Sequence, residues 1–300
     1  MLGPQRRPTV DAAVRLLIAD GPVATVTAGW QEREPDDQLL STLLGGRDVN
    51  LGLYGRWLDV LDRDPSYAEG TRRLADVLGE MEDTYLLRLD YALQAVYALV
   101  HRADDAVSDE AVADAIAAVR ELDEGYLQQV NSARGEFFEE LRPHDRPVIA
   151  EHRAAVAGLL GGASALVVAG GHVGVLTEVL HLFNIAAAPL SEVIAWSAGA
   201  MALADRIVLF HDRSPQGPGH PEVYGAGLSL LREVVLLPHA RARLLLDDTP
   251  RMAVFARRFA PARCILLETG ARLDVGSDGA WPPGTRVLAE DGHVITLEAA

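Results

Sequence analysis

The chain has 300 residues, of which 49% are hydrophobic and 23% charged, the balance of an ordinary globular protein. Its formal net charge of −16 repels nucleic acid and anionic membranes, so neither is expected as a partner. All 27 basic residues are arginine, which excludes lysine Schiff bases, a Walker-type phosphate loop and a kinase core. With Cys264 as the single cysteine, no internal disulfide and no cysteine-based zinc site can form. Met1 to Pro8 carries two arginines without a following signal-type apolar run, and no stretch reaches about 18 apolar residues. A cytoplasmic protein is therefore expected.

Residues 9–20 alternate apolar and charged positions as a helix does. The β-branched run at 22–28 predicts a buried strand, 35–44 a helix stopped by Gly45-Gly46, and 49–54 a second strand. Strand, helix, strand opens a parallel α/β sheet. Strand signals then nearly vanish from 67 to 142. Leu74, Leu78, Met81, Tyr85, Leu89, Leu93, Val96 and Val100 recur at helical spacing. Val112 to Leu141 does the same, with Asp123 the one polar interruption. Two long amphipathic helices are predicted, broken near Asp104-Asp105 and packed antiparallel across a short connection. Past Pro143 and Pro147 a shorter helix runs to about Leu160.

The α/β pattern resumes with a strand at 165–169, Gly170-Gly171, a helix at 173–182, and a strand at 192–196 that runs into a helix at Ser197. Further strands are predicted at 207–210, 233–237 and 264–267. Short antiparallel strands are expected at 271–275, 285–289 and 293–297, with turns at Ser277-Asp278-Gly279 and Asp291-Gly292. The class is α/β: an open, mostly parallel sheet flanked by helices, with an inserted long-helix subdomain. Residues 1–66 and 161–300 form the two parts of the α/β domain, and 67–160 form the insertion. A covering role over the site, a homodimer contact, a partner-docking surface and simple stabilisation are the roles open to that insertion.

The chemistry concentrates at strand ends. Ser197 follows the apolar strand and is surrounded by Ala195, Ala198, Gly199 and Ala200. Small neighbours permit a sharp strand-to-helix turn that exposes the hydroxyl, with the helix N-terminus behind it. The other reading is a serine N-cap on an ordinary helix. Gly170-Gly171-His172 lets backbone approach a ligand closely. Its Gly171 or His172 N–H and the N–H of Ala198 are the candidate oxyanion donors. His239 follows Pro238 at a strand end and suits a general base. Asp212 and Glu268, each past a strand, are the candidate acids behind it. Active sites form at such an edge of an open parallel sheet.

Together these residues resemble the dipeptidase E / cyanophycinase family of serine peptidases, whose fold is related to class I glutamine amidotransferases. The resemblance is carried by Ala169-Gly170-Gly171-His172, by Trp196-Ser197-Ala198-Gly199-Ala200, by Leu237-Pro238-His239 with the following Arg241 and Arg243, and by Glu268-Thr269-Gly270-Ala271. Asp212, fifteen residues past Ser197 (212 − 197), resembles the family's proposed aspartate. The match covers about 160–275 and, more loosely, the first two strands.

The resemblance implies Ser197 as nucleophile, His239 as base, Asp212 or Glu268 as third member, and Gly171 and Ala198 as oxyanion hole. It also implies cleavage of a peptide, isopeptide or small amide bond, in known members beside an aspartyl residue, without cofactor or metal. Gly170, His172 and Trp196 would line the substrate. Arg241, Arg243 or His172 would receive an anionic group, the other reading being that the arginines pair with Asp247 or Asp248. The chain departs from the family in having Ala195 at the first elbow glycine, His172-Val173 in place of Asn-Thr, a polar loop at 213–222, and the helical insertion. A glutamine amidotransferase would need a cysteine at position 197, and Cys264 reads as core. No H-x-x-x-H or H-E-x-x-H pair occurs. The competing class is a non-catalytic binding or scaffold protein retaining the fold.

Overall fold

The computed structural model describes residues 1–5, 9–18, 20–102, 106–188, 192–213, 219–276 and 278–298, with backbone only at 106–108. The arginines of the first eight residues, the break at Asp104-Asp105, Ser277 and the centre of the polar loop lie outside the described residues. Helix α1 (Val10–Leu17) is followed by β1 (Val23–Val26), α2 (Gln38–Leu43) and β2 (Asp48–Asn50). The helices α3 (Leu53–Arg63), α4 (Pro65–Val100), α5 (Ala106–Leu141) and α6 (Pro147–Gly161) come next. Then follow β3 (Ala165–Val168), α7 (Val173–Leu182), β4 (Val193–Ala195), α8 (Ala198–Met201), β5 (Arg206–Leu209) and β6 (Glu222–Ala226). The chain ends with β7 (Val234–Pro238), α9 (Ala240–Arg243), α10 (Thr249–Phe259), β8 (Arg263–Leu267), β9 (Arg286–Leu288) and β10 (Val294–Thr296). Among the described residues no helix is long and apolar enough to cross a membrane.

The α/β class holds, with a four-stranded parallel sheet in the order β2-β1-β3-β4. The expected single open sheet is divided. A second sheet, β10-β9-β8-β7, pairs β7 and β8 parallel and the rest antiparallel, and β5 and β6 form an antiparallel pair. The N-terminal segment joins the two larger sheets. Leu2 bridges Trp196 beyond β4 on one side and Arg272 beyond β8 on the other, and its N–H donates to the Ala195 carbonyl at 2.8 Å.

Three expectations change for local reasons. The strand expected over 49–54 stops at Asn50 because Gly52 turns left-handed (φ 59°, ψ 40°) and α3 begins. The buried Glu34 carboxylate fixes that helix start by accepting the N–H groups of Tyr54 (3.0 Å) and Gly55 (2.9 Å), a favourable place for negative charge. The polar loop expected up to Glu222 ends in a strand, β6, which alternates half-buried and buried positions against β5. The strand expected at 271–275 is reduced to the single bridge at Arg272. The Asp291-Gly292 turn does join β9 and β10.

The two long helices appear as expected. Each has 36 residues, roughly 54 Å at 1.5 Å per residue. Asp64 caps α4 by accepting the Tyr67 N–H, and Pro65 takes the first helical turn, where its missing N–H costs nothing. Tyr67 meets Phe137, Arg73 pairs with Glu140, and Tyr85 meets Asp123, so the helices run antiparallel.

The hairpin's buried stripe belongs to the same apolar core as β3, β7 and β8. Asp123 explains its own place in that stripe. It is 1% exposed, and Arg258 of α10, 2% exposed, holds both its oxygens at 2.7 Å. Tyr85 donates to Asp123 at 2.8 Å and accepts the Val223 N–H of β6 at 3.0 Å. Arg258 also donates to the Pro221 carbonyl at 2.6 Å. The group is closed, every charge having a partner.

Removing one partner strands the other charge in the core, a loss of about 3–5 kcal/mol. Asp123→Ala and Arg258→Ala are therefore each expected to lose about that much stability in urea unfolding. The paired replacement Asp123→Leu with Arg258→Met is expected to recover most of it, since apolar replacement of a whole buried pair is often neutral. A loss under about 1 kcal/mol for either single variant, the range of surface pairs, would show that the pair does not hold the hairpin to the body.

Candidate active site

The site begins at the ends of β3 and β4. Ser197 joins β4 to α8 with φ 51° and ψ −126° and makes no side-chain cap bond. An N-cap serine has extended backbone and an oxygen that accepts a helix N–H. Ser197 has neither, so the cap reading fails. This backbone costs on the order of 1–3 kcal/mol and persists only where its surroundings fix it.

Two glycines do that. A Cβ at Gly199 would lie 2.6 Å from the Ala169 carbonyl, so only glycine lets α8 seat on the end of β3. A Cβ at Gly170 would lie 2.8 Å from Ser197 Cβ and 3.5 Å from its Oγ, so the two strand ends touch at the serine. Ala195 is fully buried in β4, and its methyl is accommodated where the usual elbow has glycine.

Ala198 opens α8, so its N–H has no partner within the helix. Gly171, at φ 129°, likewise has no backbone partner for its N–H among the described residues. The His172 N–H is spent on the Gly29 carbonyl at 2.8 Å, which leaves Gly171 as the candidate donor from this loop. His172 is not among the residues that line the cavity described below. It is exposed, its Nδ1 accepts the Val175 N–H at 3.2 Å, and it caps α7.

His239 follows β7 in a left-handed conformation (φ 59°, ψ 31°). Its N–H donates to the Leu267 carbonyl of β8 at 3.1 Å, and its own carbonyl accepts from Ala242 and Arg243. Ser197 and His239 line one cavity of about 650 Å³ together with Gly170, Gly171, Trp196, Ala198 and Arg243.

Neither acid candidate lines that cavity. Asp212 is 3% exposed, and both its oxygens are engaged, one by Arg251 at 2.7 Å and the other by the Leu245 N–H at 3.1 Å. Its own N–H donates to the Arg243 carbonyl at 2.7 Å. Asp212 thus holds the chain at 243–245. Glu268 accepts the Arg241 N–H at 2.8 Å, at the turn that carries His239. Arg241 is exposed and outside the cavity, while Arg243 is half-buried and lines it. Burial holds the Arg243 guanidinium below the usual arginine value. Neither arginine has an ion pair among the described residues, and Asp248 instead caps α10 through the Arg251 N–H at 3.1 Å.

The rest of the lining carries no motif in the sequence. Trp30, Leu39, Leu40, Leu43 and Met201 form an apolar wall. The available signal was α2 itself, where paired leucines put Leu40 and Leu44 into the core, with Leu43 half-buried beside them and Leu39 exposed. Trp30 is set by a turn at Gln31 with the same unusual backbone as Ser197 (φ 57°, ψ −124°). No described residue of α4 or α5 lines the cavity, so the hairpin does not cover it. Among the described residues no three His, Cys, Asp or Glu side chains are grouped to hold a metal ion. No known protein family and no curated protein matches the chain.

Cys264 sits in β8 at 1% exposure, and burial pushes its thiol up to about 12. A thiol reagent at pH 8 is therefore expected to leave the native protein unmodified and to titrate one thiol after unfolding in guanidinium. Rapid native modification would contradict the core assignment.

Proposed function

We propose that this chain is a serine hydrolase of the peptidase or amidohydrolase type, on a class I glutamine amidotransferase-like fold. The observation that carries the reading is the uncapped, strained Ser197 on the same cavity as His239. Strain of this kind concentrates at functional sites. The resemblance to the dipeptidase E / cyanophycinase family supports the same roles, with an aspartyl-linked amide as the family's substrate type, and the sequence reading adds a cytoplasmic setting.

In the proposed mechanism His239 takes the Ser197 proton and the serine oxygen attacks the amide carbonyl. The Gly171 and Ala198 N–H groups receive the oxyanion, an interaction worth about 2.7–4 kcal/mol per donor. The tetrahedral intermediate collapses, the C–N bond breaks, and His239 delivers its proton to the departing nitrogen. Water, deprotonated by His239, then attacks the acyl-serine; the ester C–O bond breaks, His239 returns the proton to the Ser197 oxygen, and the acid is released. Glu268 is the better candidate for positioning the histidine, because it binds the turn that carries it. Asp212 supports Arg243 instead.

A fluorophosphonate probe tests the reading. The wild type is expected to label, Ser197→Ala to show none, and His239→Ala to label at least about 10²-fold more slowly, the low end of a general base's contribution. Gly170→Ala, which presses on the serine, is expected to slow labelling about 10²-fold through misplacement alone. Equal labelling of wild type and Ser197→Ala would remove the nucleophile assignment, and no labelling of the wild type would favour a binding protein.

A further inference from the structure

The lining of the cavity is unlike the rest of the molecule. The chain has 43 acidic and 27 basic residues, yet no aspartate or glutamate is among the lining residues, which include Arg243 and His239. Arg243 has no counter-ion among the described residues. Its planar guanidinium matches a carboxylate. Gln5 also lines the cavity, but its amide is consumed in holding Gly3, Thr9 and Val10. A free ammonium would find no carboxylate in this lining, and burying an unpaired charge is costly.

The wall formed by Trp30, Leu39 and Leu43 has the opposite character. Leu39 is 69% exposed. A single exposed leucine calls for no explanation, but several apolar side chains lining one cavity beside a strained serine are the usual form of a ligand site. The cavity, about 650 Å³, is within the range that holds a drug-sized ligand.

We infer that the site takes an N-acyl amino acid or a similar amine-blocked amide, with its carboxylate on Arg243 and its apolar acyl group on the wall of Trp30, Leu39 and Leu43. A dipeptide with a free amino terminus fits this lining poorly. The inference rests on the proposed nucleophile for what is cleaved, though not for what is bound. In the reaction the Ser197 oxygen bonds to the acyl carbon and the C–N bond breaks. The serine proton passes through His239 to the leaving amine, and water then frees the apolar acid.

Calorimetry on the full-length Ser197→Ala protein, with N-acetyl-, N-butanoyl-, N-hexanoyl- and N-octanoylglycine, tests the binding directly. Affinity is expected to rise by up to about fourfold per added methylene until the wall is covered. Replacing the glycine carboxylate by a carboxamide should weaken binding at least tenfold. Arg243→Gln should abolish that difference, and Leu39→Asp with Leu43→Gln should flatten the dependence on chain length. Equal affinities along the series, equal binding of acid and carboxamide, or tighter binding of glycyl dipeptides with a free ammonium would each overturn the inference. The wild type separates the two ideas. Graded binding without any turnover would sink the hydrolase reading and keep the ligand class. Turnover of free dipeptides with no graded binding would do the reverse.

Discussion

The backbone of Ser197 is the constraint on which the site depends. Its φ of 51° and ψ of −126° are unfavourable for any residue with a side chain. Parallel pairing of β3 with β4, the seating of Gly199 on the end of β3, and the Leu2 N–H on Ala195 together fix the turn. Because the chain folds back so sharply, the hydroxyl is withheld from capping α8. The helix therefore starts with an unused N–H at Ala198, beside the serine instead of beneath it. A second unusual backbone, that of His239, comes from the other sheet. Two strained residues on separate sheets thus face one cavity, with the N-terminal segment bridging the sheets between them.

Support for this arrangement extends outward through charge. Asp123 and Arg258 tie the helical hairpin to α10 and to the chain entering β6. The same α10 carries Arg251, which lies over the Tyr97 ring of α4 and holds Asp212. Asp212 in turn holds the backbone at Arg243 and Leu245. The hairpin is thus outside the cavity and still connected to its charged end, through two ion pairs that are both largely dry. This gives the insertion a structural role that requires neither covering the site nor meeting a partner.

Much of this was legible in the sequence where the signal is local. The 36-residue helices show themselves through apolar spacing. The elbow shows itself through small residues around Ser197, and the histidine through its strand-end proline. What depends on distant partners was not legible. Asp123 reads as an interruption until Arg258 is opposite it. The partners of Asp212, Arg251 and the Leu245 N–H, lie 39 and 33 residues away along the chain and have no local signature. His172 sits where a substrate residue belongs in the resembling family, yet here it caps its own helix. Leu2 carries no strand pattern because its two partners lie at 196 and 272. The apolar wall on α2 was hidden because leucine is as ordinary in a core as in a ligand site.

The proposed chemistry stands on Ser197 as the residue that carries the acyl group. Intact-mass spectrometry during turnover of a p-nitrophenyl ester tests it most directly, with peptide mapping of the trapped species. One acyl group per chain, mapped to Ser197, is expected, with a matching burst of nitrophenol that is absent from Ser197→Ala. An unmodified chain during turnover, or an acyl group mapped to any other residue, would contradict it.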